Sequence, residues 1–219
     1  MKQDNFEEIV GKFTSLGKPE HRYSSFDYCY NYFFAENDLT KDMEKSCFEL
    51  AFYLASWGMF RGSSFLLQKS AKYFERTIEY INSLDKYLWK IDVNNYNDNI
   101  IDNLIEIYNK IDELIVEEKS RSITLVTKIM LGIFGFVPAY DDYFCQSFRK
   151  IASGKCGFRV FNKNSLKVVK QFYDFNKNSI DKLSNETFTY DFITGNKTNI
   201  KYPKAKIIDM YGFMFSFKE

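Results

Sequence analysis

The chain has 219 residues, a net charge of +1, 45% hydrophobic residues and 27% charged residues. That balance excludes a disordered, collagen-like or acidic-tail protein, and the length suits one large or two small domains with an ample core. It contains 16 Tyr, 23 Phe and 2 Trp but only 3 Pro and 10 Gly, so chain breakers are few and long regular elements are favoured.

The opening run, Met1-Lys2-Gln3-Asp4-Asn5-Phe6-Glu7-Glu8, lacks the apolar centre of a secretory signal. A cytoplasmic, reducing setting with free thiols at Cys29, Cys47, Cys145 and Cys156 is therefore expected. No two of these cysteines are separated by two residues, which excludes a zinc ribbon or a thioredoxin-like redox pair. His21 is the single histidine, so a helix-borne two-histidine zinc site is impossible and no metal is expected. Its setting, Lys18-Pro19-Glu20-His21-Arg22, reads as a polar loop. No phosphate-cradling glycine loop occurs, and no cofactor is expected.

Ser24 followed by Asp27 resembles a capping box that opens a helix through Phe34. From Thr40 to Phe60 the chain starts polar and becomes apolar on nearly all sides, which predicts a central core helix. It leads into Trp57-Gly58-Met59-Phe60-Arg61-Gly62-Ser63-Ser64, after which apolar periodicity resumes from Phe65 to Ile81. A helix starting at Ser63 or Ser64 offers free N–H groups and the positive end of its dipole, and Arg61 adds a planar donor for phosphate or carboxylate. The plainer reading of this segment is a helix–helix corner with a serine cap.

Residues 97–118 repeat Ile, Leu and Tyr at three- and four-residue steps and predict an amphipathic helix of about six turns. The window Ile123 to Tyr140 is the most apolar, but Lys128 interrupts it and Pro138 ends it. A membrane span needs about 20 apolar residues, so a buried helix is expected and membrane spanning is not. Lys128 within that helix, the Gly135-Phe136-Val137-Pro138 turn and the pair Asp141-Asp142 concentrate chemistry in one stretch. Lys128 and Asp141 meeting at a cleft would shift each other's titration; a snorkelling lysine and an aspartate N-cap are the alternative.

Leu166, Val169, Phe172, Tyr173, Ile180 and Leu183 outline a further helix starting near Asn164. Residues 187–192 and 198–202 alternate around a Thr194-Gly195-Asn196-Lys197 turn and predict a short hairpin. Pro203 then opens a last helix carrying Ile207, Ile208, Met210, Tyr211 and Phe213. Residues 1–145 carry 16 basic against 23 acidic groups, and residues 146–219 carry 14 against 6. The basic C-terminal third suits a polyanion such as nucleic acid, or complements the acidic remainder within the fold or across a homo-oligomer.

Thr127-Lys128 at a helix start, followed by Val137-Pro138-Ala139-Tyr140-Asp141 and a further helix, resembles the helix-hairpin-helix DNA glycosylase superfamily over about residues 120–149. The resemblance implies that Asp141 supports base excision and that Lys128 is the nucleophile. Glu117-Glu118-Lys119-Ser120-Arg121-Ser122 stands where the family has its Leu-Pro-Gly-Val-Gly-like hairpin, and Tyr143 stands at the family histidine. The whole chain, rich in Lys, Asn, Ile, Phe and Tyr, resembles bacterial proteins of low-GC type.

The expected fold is all-α, a mainly helical orthogonal bundle with one small C-terminal β-hairpin, in a single domain or divided into 1–118 and 119–219. The expected function is ligand binding or interaction, with an anionic, phosphate-containing group near Arg61, Ser63 and Ser64 and with Trp57 and Tyr143 as pocket walls. The alternative is a glycosylase-like enzyme on nucleic acid, using Asp141 and Lys128.

Overall fold

A computed structural model describes residues 1–3, 5–115 and 122–218. Helical periodicity becomes α1 (Phe6–Thr14), α2 (Ser25–Ala35), α3 (Met43–Ser56), α4 (Glu75–Asn82), α5 (Asp98–Ile115), α6 (Ile123–Phe134), α7 (Asp142–Ile151), α8 (Lys163–Phe175), α9 (Lys177–Glu186) and α10 (Lys204–Phe215). The sheet consists of β1 (Phe188–Tyr190) and β2 (Lys197–Lys201), antiparallel, with Phe188 opposite Lys201 and Tyr190 opposite Lys197. The chain is thus mainly helical with one C-terminal hairpin. Among the described residues no helix is long and apolar enough to cross a membrane.

Two buried helices organise the core. α6 packs against α2, α3 and α5, and every residue from Leu125 to Phe134 is buried, as its unbroken apolar run requires. α10 packs against α1, α7 and α9, and its first nine residues after Lys204 are buried as well. Gly135 ends α6 in the left-handed region at φ +70°, and residues 136–140 then run back along the helix, all buried. Thr127 Oγ1 accepts from the Tyr140 amide at 2.8 Å, and Thr124 Oγ1 donates to the Tyr140 carbonyl at 3.0 Å. Trp89 Nε1 donates to the Ile133 carbonyl and the Tyr96 hydroxyl to that of Phe136, so the reversal keeps its backbone paired.

A side chain at Gly135 has no room: its Cβ would overlap Pro203 and approach Tyr30 Cε2 at 2.8 Å. Gly135→Ala is expected to cost at least about 1–3 kcal/mol through overpacking, with left-handed strain added. A denaturant midpoint within error of wild type would refute that.

Several local expectations are corrected. Ser24 does not close a capping box: its hydroxyl donates to the Lys18 carbonyl, and Asp27 turns toward the hairpin, accepting from the Tyr190 amide and the Tyr202 hydroxyl. α3 is not enclosed on all sides, since Phe48 and Phe52 face outward at 56% and 61% exposure. Phe65–Gln68 and Ala71–Phe74 are two 3-10 turns, and only Glu75–Asn82 continues as α-helix. Asn162, not Asn164, caps α8, with Ser165 reciprocating, and Asn176 divides the expected helix into α8 and α9. The end of the helix expected over 97–118, and the segment Glu117–Arg121 noted above, lie outside the described residues.

The charge asymmetry is met partly inside the fold. Lys163 pairs with Asp102, Lys167 with Asp98 and Lys182 with Glu7, each joining the basic third to the acidic part. These pairs are exposed and individually weak. Cys29, Cys47 and Cys145 are buried free thiols and Cys156 is half-buried.

Candidate functional site

The reversal after α6 is what brings Lys128 to Asp141. Asp141 caps α7 through Oδ1, which accepts from the Phe144 amide at 3.0 Å, and its Oδ2 accepts from Lys128 Nζ at 3.0 Å. Both meanings of Asp141, cap and ion-pair partner, are therefore realised at once. Lys128 is only 3% exposed, while the Asp141 side chain reaches solvent at 17%.

A second pair lies beside it. α10 starts after Pro203, and the carboxylate of Asp92 takes its first amides, Lys204 at 2.6 Å and Ala205 at 3.0 Å. This anchor sets Lys206 and Asp209 on one buried face, three residues apart, with Nζ 2.9 Å from Oδ2. Asp209 Oδ1 also accepts from the Ala139 amide, tying α10 to the reversal. Lys206 is 1% exposed.

Trp57 joins the two pairs. Lys128 Nζ lies 5.0 Å and Lys206 Nζ 4.8 Å from its ring centroid, both within cation–π range. Lys206 also faces Phe26 at 4.7 Å and Phe13 at 5.3 Å. Tyr23 stacks on Trp57 with centroids 5.2 Å apart, and Phe213 meets Trp57 edge-on at 6.3 Å. Tyr143 packs on the same Phe213 at 5.1 Å. Burial pushes the Tyr53 phenol well above its ordinary range, and Cys29, Asp209 and Asp141 add to the shift. Trp57, within reach of both ammonium groups, is what joins the two pairs into one cluster.

The cluster is rich in donors. An ammonium has three N–H groups, and each lysine gives one to a carboxylate. The indole Nε1–H of Trp57 is buried with no acceptor among the described residues. An acceptor-rich group is what such a site can take up.

Four of the residues singled out in the sequence, Lys128, Asp141, Trp57 and Tyr143, gather around Phe213 and this cluster. Arg61 is exposed and folds back over Gly58: a Cβ on Gly58 would stand 2.8 Å from Arg61 Nε. It therefore sits beside the residue that follows Trp57. Ser63 and Ser64 do not start an α-helix. Ser64 caps the four-residue 3-10 turn, accepting from the Leu66 amide and donating to the Met59 carbonyl at 2.6 Å, and Ser63 is exposed. The corner reading applies to these two serines, since a single 3-10 turn lacks the aligned dipole of a helix.

Lys206, Asp209, Tyr23 and Phe13 were missed. Lys206 and Asp209 carried a usable signal, two charges inside the apolar run of residues 205–213, of the same kind that singled out Lys128. His21 accepts from the Tyr23 amide through Nδ1 and packs edge-on against Tyr23 at 4.6 Å, a local turn role. Among the described residues no group of three or more His, Cys, Asp or Glu is placed to hold a metal ion. No family model matches the chain, and neither a curated protein nor a solved structure is significantly similar to it.

Proposed function

We propose that this chain is a ligand-binding protein that takes an anionic group, a carboxylate or phosphate, at the Lys128–Asp141 and Lys206–Asp209 cluster beneath Trp57. The observation that carries this is two buried ammonium groups held against one indole, each bonded to a single carboxylate. A buried ion pair is a poor source of stability, because apolar residues of the same volume do as well or better. A role in binding accounts for keeping two of them side by side. The ligand reaches the cluster from the side where Asp141 meets solvent. It accepts the ammonium N–H groups not given to the aspartates, and the aromatic walls exclude water around it.

The test is a thermal-shift screen of wild type, Lys128→Met and Arg61→Ala against phosphate, sulfate and dicarboxylates. A ligand binding only the folded state stabilises it by about 2.7 kcal/mol at a hundredfold excess over Kd. A rise in Tm that is lost in Lys128→Met and reduced in Arg61→Ala is expected. A rise retained in Lys128→Met would remove the cluster as the site.

A second reading rests on the Lys128–Asp141 contact itself. A glycosylase-like enzyme would use Lys128 to form an imine with the aldehyde of an abasic site, releasing water, and borohydride would trap it as an amine. The 3% exposure of Lys128 favours binding over attack on a bulky substrate. A trapped adduct that disappears in Lys128→Met would reverse that order.

A further inference from the structure

Beside the Asp141–Asp142 turn lies a cleft of about 590 Å³ lined by none of the cluster's residues. It opens between the starts of α6 and α7 and the segment 157–159, and Arg149, Arg159, Asp142 and Cys145 line it. We propose that this cleft is a second binding site, for a phosphorylated small molecule of nucleotide size, with Arg149 and Arg159 on the phosphate and Asp142 on a hydroxyl or amino group of the remainder.

The two arginines are set up differently. Arg149 gives its Nε to the Gly157 carbonyl at 2.7 Å, which fixes the plane of the guanidinium and leaves its terminal nitrogens for a ligand. Arg159 has neither a hydrogen bond nor an ion pair among the described residues. It is presented by an unusual backbone: Phe158 has φ +48°, a region that bulky side chains rarely adopt. The Phe158 ring holds that conformation from below, buried and edge-on to Tyr140 at 5.4 Å and Phe148 at 5.5 Å. Strained residues held by surrounding packing concentrate at ligand clamps. The local charge balance is two guanidinium groups to one carboxylate, and the volume falls within the range of small-molecule sites, about 300–1,000 Å³.

Cys145 makes this a place for binding and not for phosphoryl transfer to sulfur. Burial pushes its thiol up to about 12, and Sγ donates to the Phe158 carbonyl at 3.3 Å. A thiol so held is not a nucleophile at neutral pH.

Calorimetric titration with pyrophosphate, ADP and a short single-stranded oligonucleotide tests the proposal, using wild type, Arg159→Ala and the double variant Arg149→Ala/Arg159→Ala. Both arginines are exposed, so the variants are expected to fold. Pyrophosphate and ADP are expected to bind wild type, to lose about tenfold or more in affinity in Arg159→Ala and to lose binding in the double variant. Absence of binding to wild type, or binding that survives in the double variant, would overturn the proposal. So would an oligonucleotide that binds more tightly than ADP through the same arginines, since the site would then serve a polymer.

Discussion

Asp27→Asn is expected to raise stability above about pH 7 and to remove most of the pH dependence that wild type shows between about pH 4 and pH 7. Asp27 is fully buried in α2, and its two oxygens accept from the Tyr202 hydroxyl at 2.5 Å and the Tyr190 amide at 3.0 Å. Burial raises its carboxyl from 3.8 to about 7, against the smaller downward pulls of Tyr202, Tyr190 and Lys206. The folded state therefore binds a proton that the unfolded chain has released. The stabilisation is complete below the ordinary carboxylate range and is lost as pH rises through about 7. The gap between 3.8 and about 7 corresponds to on the order of 4 kcal/mol. Asparagine can accept from the Tyr190 amide and donate to the Tyr202 oxygen without carrying charge. Urea denaturation of both proteins across this range is the check, and parallel stability curves would refute the buried-acid assignment.

The second large effect concerns the pair on α10. Asp209→Ala leaves the Lys206 ammonium among the rings of Phe13, Phe26 and Trp57 with no carboxylate bonded to it, and it strips the Ala139 amide of its acceptor. Breaking a buried pair on one side costs about 3–5 kcal/mol. Lys206→Met/Asp209→Asn, which removes the charge but keeps an acceptor for Ala139, is expected to recover most of that loss. Denaturant midpoints of the three proteins measure it directly. A single variant as stable as wild type would mean that the ammonium escapes to water, which its 1% exposure opposes.

These two sites also mark where the sequence was readable and where it was not. α6 could be read from its unbroken apolar run, α5 from its three- and four-residue steps, and the hairpin from its alternation, because each pattern matches one periodicity. The partition of Asp27 could not be read. The spacing Ser24 to Asp27 looks like a local cap, and only the hairpin, more than 160 positions later in the chain, supplies the competing donors at Tyr190 and Tyr202. The region after Ser64 has helical periodicity in its apolar residues, yet tertiary packing resolves it into 3-10 turns, an override that local propensity does not encode. Lys128 and Asp141 could be singled out because they stand close in sequence to the Gly135 reversal that joins them. Lys206 and Asp209 were legible only as charges in an apolar run, and their relation to Trp57 arises from tertiary packing that brings α10 to the reversal after α6 and to the residue ending α3. The Phe158 backbone carries no sequence mark at all, since phenylalanine is a poor choice for a positive φ.

The most direct measurement is an NMR titration that follows the indole N–H signals of the only two tryptophans while phosphate and dicarboxylates are added. Trp89 gives its N–H to the Ile133 carbonyl inside the core and serves as the internal reference, while the N–H of Trp57 has no acceptor among the described residues. A saturable shift of the Trp57 signal, with Trp89 unmoved and the effect absent in Lys128→Met, is the expected result. Two static signals across every anion tested would contradict a binding role for the paired lysines and leave them as core charges alone.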